Sequence, residues 1–240
     1  MGFVLRSACK FMKRYRIADL TVDMDVSGRT AKQAQAYAVP CEGAAQITLQ
    51  YDLDELMALN PHITSRDMAE HMVTGMLFSR ELLRFDGTYL HASAVILNGR
   101  AYLFSAPSGT GKSTHTEKWC RLFGAVYLND DKPAVRQVNG IWHAYGTPWS
   151  GKHDISLPMG APIGGIAFLK RGQENTIRRL SPAEALPLIF NQSLWKLRQE
   201  QMQKQLALLD GILRQIPVWE LSCRNDDEAA MVSRAAMEQI

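Results

Sequence analysis

The chain has 240 residues, 46% of them hydrophobic, enough for one sizeable core and a small annex. Its net charge of +3 is too mild to argue for a nucleic-acid binder, for which a basic stripe would be needed. No stretch reaches the roughly 20 apolar residues of a membrane span, and the four cysteines, Cys9, Cys41, Cys120 and Cys223, lack metal or redox spacing. The expectation is a cytoplasmic enzyme with reduced thiols and neither nucleic acid nor membrane as partner.

Met1 to Arg16 is basic, but it lacks the apolar run of a signal segment and is expected to be the solvated face of a first strand or helix. Up to about Leu59, short apolar runs such as Ile17–Val26 alternate with polar turns. In Gln46–Tyr51, Ile47, Leu49 and Tyr51 share one face of a half-buried strand. Residues 1–60 are therefore a small β-rich N-terminal region, and residues 61–240 form the core. Asn60-Pro61 is a turn, after which Thr64-Ser-Arg-Asp67 opens a helix as a capping box. Met68, Met72, Val73, Met76 and Leu77 follow at helical spacing, expected to pack on a sheet, and Asp86-Gly87 ends the helix.

Val95–Leu97 and Ala101–Phe104 flank Asn98-Gly99, a hairpin turn, and Ala134–Val138 and Ile141–Ala144 flank Asn139-Gly140, another. Between them, Ala101–Phe104 reads as a buried strand, Lys112–Phe123 as a helix stopped by Gly124, and Val126–Leu128 as a short strand. Ile163–Leu169 is a further buried strand. Ser181-Pro-Ala-Glu184 caps a helix, a long amphipathic helix is expected over Ile189–Ile216, and a last one from about Asp226. Hairpins around a strand–loop–helix unit predict α/β with a mixed β-sheet flanked by helices.

The loop of that unit is Ala106-Pro-Ser-Gly-Thr-Gly-Lys-Ser113, a Walker A match with alanine at its first glycine position, which fits if the backbone φ there is negative. Backbone N–H groups of Ser108, Gly109, Thr110, Gly111, Lys112, Ser113 and Thr114 would form a nest for polyphosphate at a helix N-terminus. Lys112 would reach the β/γ-phosphates and Ser113 would ligate Mg²⁺, which makes ATP and Mg²⁺ the expected cofactors. A glycine-rich turn without a ligand is the plainer alternative.

Asp130 and Asp131 end the first strand after the loop helix, where one carboxylate can serve the metal and the other accept a proton from a hydroxyl. Asn-Asp-Asp-Lys-Pro is also good turn chemistry. His91 could hydrogen-bond a phosphoryl oxygen or tune an aspartate. In Gly146-Thr-Pro-Trp-Ser-Gly-Lys-His153, the residues Trp149, Lys152 and His153 could clamp an acceptor or the γ-phosphate, and a plain surface turn reads almost as well. Asp154 is the available further carboxylate, and Arg171 could also face phosphate.

With these residues in view, the chain resembles the catalytic domain of HPr kinase/phosphorylase and its HPr-kinase-related relatives. The resemblance rests on Leu90-His91-Ala92-Ser93, Pro107-Ser-Gly-Thr-Gly-Lys-Ser-Thr114, the pair Asp130-Asp131 and the glycine-rich turn before Ile163–Leu169, and spans Tyr89 to Arg171. The Ser-Gly-Thr-Gly-Lys core is also similar to ATP-dependent phosphoenolpyruvate carboxykinase, a much longer enzyme. The resemblance implies a P-loop kinase core with Lys112 on phosphate, Ser113 on Mg²⁺, Asp131 as base toward a seryl hydroxyl, Asp130 beside the metal and His91 assisting. Two departures bear on whether HPr itself is the substrate and on reverse phosphorolysis. Pro158–Gly165 lacks the family's metal-binding glutamate, and the family's separate N-terminal domain is not recognisable in residues 1–60. Stand-alone relatives include kinases that modify a serine of a ribosomal peptide.

The expected activity is Mg-ATP-dependent transfer of the γ-phosphoryl group to a hydroxyl of a peptide, protein or small molecule. The alternative is an ATPase or nucleotide-dependent switch acting on a partner protein; the missing Leu-Ser-Gly-Gly-Gln signature counts against a transporter motor and leaves a general switch open. The methionine-rich helix and the long C-terminal helix offer a surface for a homo-oligomer or partner.

Overall fold

A computed structural model describes residues 12–151, 153–193 and 197–239. The basic start up to residue 11 and Lys152 lie outside the described residues, and so does part of the expected 189–216 helix. The chain folds as mixed α/β, with a curled mixed sheet and a small three-stranded sheet at its N-terminal side.

The small sheet runs β1 (Lys13–Ile17), β2 (Leu20–Met24) and β3 (Ile47–Leu49), with β1–β2 antiparallel and β2–β3 parallel. The expected single run over Ile17–Val26 is instead a hairpin turned at Ala18-Asp19, both at positive φ, 52° and 59°. Neither residue announces such a turn as Asn-Gly does. Arg14, expected on a solvated face, is buried and donates from Nε and Nη2 to both Asp23 carboxylate oxygens at 2.7 Å. Two short helices that the sequence reading passed over, α1 (Gly28–Ala34) and α2 (Leu53–Leu59), complete this region.

Helix α3 (Arg66–Leu82) starts where Ser65 Oγ accepts Met68 N–H at 3.3 Å, and Asp86 closes the following turn at φ 54°. Its methionines do not pack on the sheet. Met68, Met72 and Met76 are 44%, 52% and 39% exposed, while Ala69, Val73, Gly75, Phe78 and Leu82 face inward. The reason is steric: the missing side chain at Gly75 admits the Trp149 ring, which stacks on Phe78 with centroids 4.8 Å apart.

Among the described residues the large sheet has nine strands. Its main path contains β4 (Gly87–Tyr89), β8 (Ala134–Val138), β9 (Ile141–Tyr145), β10 (Gly160–Arg171), β6 (Arg100–Ser105), β5 (Ala92–Leu97) and β7 (Val126–Asn129), in that spatial order. Both Asn-Gly hairpins form as expected, with positive φ at Asn98, Gly99, Asn139 and Gly140. Strand β10 is longer than expected because it serves two halves of the sheet. Its start pairs antiparallel with β9, and its second half lies parallel between β6 and β12 (Val218–Cys223). Strand β11 (Thr176–Arg179) pairs with β12.

Helix α4 (Lys112–Phe123) covers β5, β6 and β7, and Gly124 ends it at φ 69°. The expected long helix over Ile189–Ile216 is two helices, α5 (Pro182–Asn191) and α6 (Gln199–Gln215). Ser181 and Glu184 form the capping box of α5. Helix α7 (Asp227–Met237) is capped by Asp226. One hydrophobic cluster joins the N-terminal region to the core: Ile17, Leu20, Val22, Ile47 and Leu49 pack with Phe78, Leu82, Tyr145 and Trp149. No helix among the described residues is long and apolar enough to cross a membrane, and Cys41, Cys120 and Cys223 are unbridged.

Candidate active site

Strand direction decides where the site forms. β5 runs antiparallel to both β6 and β7, with Ala92 opposite Ser105 and Ala94 opposite Asn129. The start of β5 therefore lies beside the ends of the other two strands. His91, the loop after Ser105 and the Asp130-Asp131 pair meet at one end of the sheet.

The loop turns on two glycines in the left-handed region. Gly109 and Gly111 sit at φ 78° and 116°, where a side chain would strain the backbone. Ala106 does not have positive φ, so its methyl group is accommodated, buried against the core. The N–H groups of Gly109, Gly111, Lys112, Ser113 and Thr114 have no hydrogen-bond partner among the described residues. That leaves a concave row of donors at the start of α4. Lys112 is folded across the loop, with Nζ donating to Ala106 O at 2.8 Å, and burial lowers its pKa while Asp131 opposes that shift.

The first turn of α4 is braced from below. Tyr127 Oη donates to Ser113 O at 2.8 Å, Thr116 Oγ1 lies 2.6 Å from Tyr127 Oη, and Ser93 Oγ lies 3.0 Å from Thr116 Oγ1. These contacts use the Ser113 carbonyl and leave its hydroxyl without a partner among the described residues. A hydroxyl without a protein partner at the start of α4 is a donor oxygen of the kind that magnesium, a hard ion taking one or two protein oxygens, could use. No three His, Cys, Asp or Glu side chains converge as a metal site among the described residues.

The two aspartates face different surroundings. Asn129, fully buried, accepts the N–H groups of Asp131 and Lys132 on Oδ1 at 2.9 and 2.7 Å. Turn chemistry and acid display are thus the same feature. Asp131 Oδ1 lies 3.2 Å from His91 Nε2, and Oδ2 lies 3.8 Å from Lys132 Nζ. Burial would raise its pKa, but the His91 hydrogen bond and the charges of Lys132 and Lys112 outweigh that and bring it below the ordinary value. Asp130 turns the other way, its Oδ1 and Oδ2 accepting Gly151 N–H at 2.5 Å and His153 N–H at 3.3 Å. Burial raises its pKa despite those bonds, and the charge of Asp131 adds to the rise. Neighbouring carboxyls with pKa values pushed apart are the arrangement that separates acid and base roles.

His91 is fixed from behind. Its Nδ1 lies 2.9 Å from Gln192 Oε1, and its backbone N–H donates to Gln192 O at 2.7 Å. The ring thus bridges Asp131 and Gln192.

Trp149, expected on an acceptor clamp, is a core residue at 2% exposure, its Nε1 donating to Thr74 Oγ1 at 3.0 Å. It anchors the loop that carries Ser150 and Gly151. His153 is exposed, tied in by its backbone to Asp130. Arg171 reaches the phosphate loop, its Nη2 donating to Gly109 O at 2.9 Å. Asp154 is held by Gln33 and lies 3.9 Å from Lys32 Nζ, toward the N-terminal region.

Sequence reading missed the groups that reach the site from far along the chain. Arg29 on α1 donates from Nη2 to Ser150 O at 3.2 Å and Gly151 O at 2.7 Å. Gln33 donates to Ser150 Oγ at 2.8 Å. His71 on α3 is buried, and burial first, then the charges of Arg29 and Lys132, lower its pKa to about 4. Gln192 and Asn129 are the other two, and only Asn129 carried a local signal, the turn propensity of its Asn-Asp-Asp run.

No protein-family model matches the sequence, and no curated protein does. Among solved structures, the chain is similar to the HPr(Ser) kinase/phosphatase from Coxiella burnetii. The alignment covers 63% of this chain and 99% of that one, at TM-score 0.38 and 11% identity. A likeness at that level assigns no activity to this chain.

Proposed function

We propose that this chain is a phosphotransferase that moves the γ-phosphoryl group of Mg-ATP to an alcohol hydroxyl, most readily a serine on a peptide or protein. The observation that carries this reading is the meeting of two groups at one end of the sheet. One is a row of loop N–H donors without protein partners among the described residues, with Lys112 across it; the other is Asp131, kept ionised by His91 and two lysines.

In this reading the loop N–H groups and Lys112 hold the β- and γ-phosphates. Asp131 accepts a hydrogen bond from the acceptor hydroxyl and takes its proton. The new bond forms from that oxygen to the γ-phosphorus, and the bond from the γ-phosphorus to the β–γ bridging oxygen breaks, leaving ADP. Phosphoryl transfer through a loose transition state asks for orientation of the nucleophile more than for a strong base, so a depressed pKa suits Asp131. His91 keeps the Asp131 carboxylate aimed. Ser113 Oγ and a carboxylate of the aspartate pair would hold magnesium, which supplies charge neutralisation at the phosphates. Asp130 ties down the backbone N–H groups of Gly151 and His153 beside the reacting groups.

The test is γ-labelled Mg-ATP with host-cell extract divided into macromolecular and small-molecule fractions. Label is expected on a polypeptide. Lys112→Ala is expected to lose transfer, and nucleotide affinity should fall about 10- to 100-fold, the worth of one charge-assisted contact. Asp131→Asn should bind nucleotide and not transfer. Label released only as phosphate would replace the kinase reading with an ATPase or switch, and normal transfer by Lys112→Ala would remove the site.

A further inference from the structure

Asn129 sets the Asp131-Lys132 turn, and its own amide is set in turn by groups from two other segments. Its Nδ2 donates to Thr147 O at 3.0 Å and to Ser156 Oγ at 3.2 Å, which fixes the amide plane and aims Oδ1 at the N–H groups of Asp131 and Lys132. Ser156 Oγ donates to Thr147 O at 2.8 Å. Thr147 Oγ1 donates to Lys132 O at 2.8 Å, so the turn is held at its N–H groups and at a carbonyl. The last member comes from the N-terminal region. Tyr37, at the end of the 3₁₀ turn Gln35–Tyr37 that follows α1, is hydrogen-bonded through Oη to Ser156 Oγ and donates to Leu157 O at 3.1 Å. Resting on the reading of Asp131 as base, we propose that Tyr37 is a positioning residue for phosphoryl transfer. Its hydroxyl orients Ser156, Ser156 orients the Asn129 amide, and that amide holds the Asp131 backbone where the carboxylate meets the acceptor hydroxyl.

Burial makes the chain of bonds specific. Tyr37, Asn129 and Thr147 are all buried, and a buried polar atom left without a partner costs more than one hydrogen bond gains. Such a network has few alternative arrangements, so a change at one end reaches the other. Burial also pushes the Tyr37 hydroxyl well above its ordinary pKa, which keeps it a donor at any working pH. The backbone beside it is pinned to the small sheet: Val39 N–H donates to Arg14 O at 3.0 Å, and Ala38 bridges to Tyr15. Packing alone does not ask for tyrosine here, because phenylalanine would fill the same space. The hydroxyl is spent on Ser156 and Leu157 and touches no reacting group. Its effect on the reaction therefore runs through Asn129.

Tyr37→Phe in the full chain keeps the ring and removes the hydroxyl. Transfer of label from γ-labelled Mg-ATP to the macromolecular fraction of the extract is the readout. Its maximal rate is expected to fall about three- to tenfold, the worth of one hydrogen bond, with KM for ATP unchanged. Ser156→Ala should do the same, and the double variant should lose little more than either alone, because both cut one chain. Amide hydrogen exchange reads the geometry without any activity. Asp131 and Lys132 should exchange about three- to tenfold faster in both variants, with the amides of β6 unchanged. An unchanged rate in Tyr37→Phe, or losses that multiply in the double variant, would overturn the positioning role. So would exchange that quickens in β6 as much as at Asp131, the mark of a general loss of stability. If the unmodified chain transfers no label, the kinase reading fails and the role in transfer with it. If it transfers and the variants match it, only the role of Tyr37 falls.

Discussion

Asp131 owes its ionised state to neighbours, and one of them can be removed cleanly. Burial pushes its carboxyl up, and His91, Lys132 and Lys112 bring it below the ordinary value. A carboxyl depressed in the folded protein is ionised above that pKa, so the acid limb of the rate profile lies below the ordinary carboxylate range and activity falls only as pH drops through it. Without the imidazole, burial is opposed by the lysines alone and the carboxyl titrates higher. His91→Ala is therefore expected to move the acid limb of kcat/KM to higher pH, read from the pH profile, in addition to lowering the plateau. A lower plateau with an unmoved limb would mean that His91 acts only on packing. Much of this site was legible at the residue scale because its signals are local: the glycines and lysine of 106–113, the paired acids at a strand end, and a histidine opening a strand. Gln192, Arg29 and His71 were not, since each joins the site through tertiary contact across many residues, and a glutamine or arginine on a solvated face carries no local mark of its partner.

Elements were legible where a turn residue or a cap declares itself, as at Asn98-Gly99, Asn139-Gly140, Ser181 and Gly124. They were not where tertiary context overrides the pattern. Ala18-Asp19 makes a tight hairpin with no glycine. Strand β12 carries no local mark because it is short and half buried, paired parallel to β10 on one side and antiparallel to β11 on the other, with no clean alternation to report it. The methionine spacing of α3 was read as its buried face, when the side that packs is the one with small residues. That side yields a prediction. A Cβ at Gly75 would come within 2.9 Å of Trp149 Cδ1. The indole cannot easily retreat, being stacked on Phe78 and bonded to Thr74. Alanine at 75 gains about 1 kcal/mol of helix propensity, but overpacking a core costs about 1–3 kcal/mol. The net expectation for Gly75→Ala is a thermal midpoint lower by a few degrees, at about 2–4 °C per kcal/mol for a chain of this size. Transfer should weaken more than nucleotide binding, because the displaced ring carries the Ser150–Gly151 turn. A raised midpoint with unchanged transfer would show that the ring moves freely.

At the scale of the whole molecule, the division at residue 60 marks a change of texture but not a break in the core. The inward faces of β1, β2 and β3 share one cluster with Phe78, Leu82, Tyr145 and Trp149. Removing residues 1–60 would expose those four side chains together, along with the buried carboxylate of Glu70, which accepts Ser27 N–H at 2.8 Å. It would also release the Ser150–Gly151 turn from Arg29 and Gln33, and the Ser156–Leu157 segment from Tyr37. Each buried aromatic or leucine side chain is worth about 1.5–3 kcal/mol, against a typical total stability of about 5–15 kcal/mol. A 61–240 fragment is therefore expected to lack a cooperative thermal transition and to aggregate, although it keeps every phosphate-loop residue and both aspartates. Calorimetry of the fragment beside the full chain checks this. A cooperative melt close to that of the full chain, with tripolyphosphate binding retained, would make residues 1–60 an accessory unit. A fragment that does not fold would make residues 1–60 part of one folding unit with the large sheet.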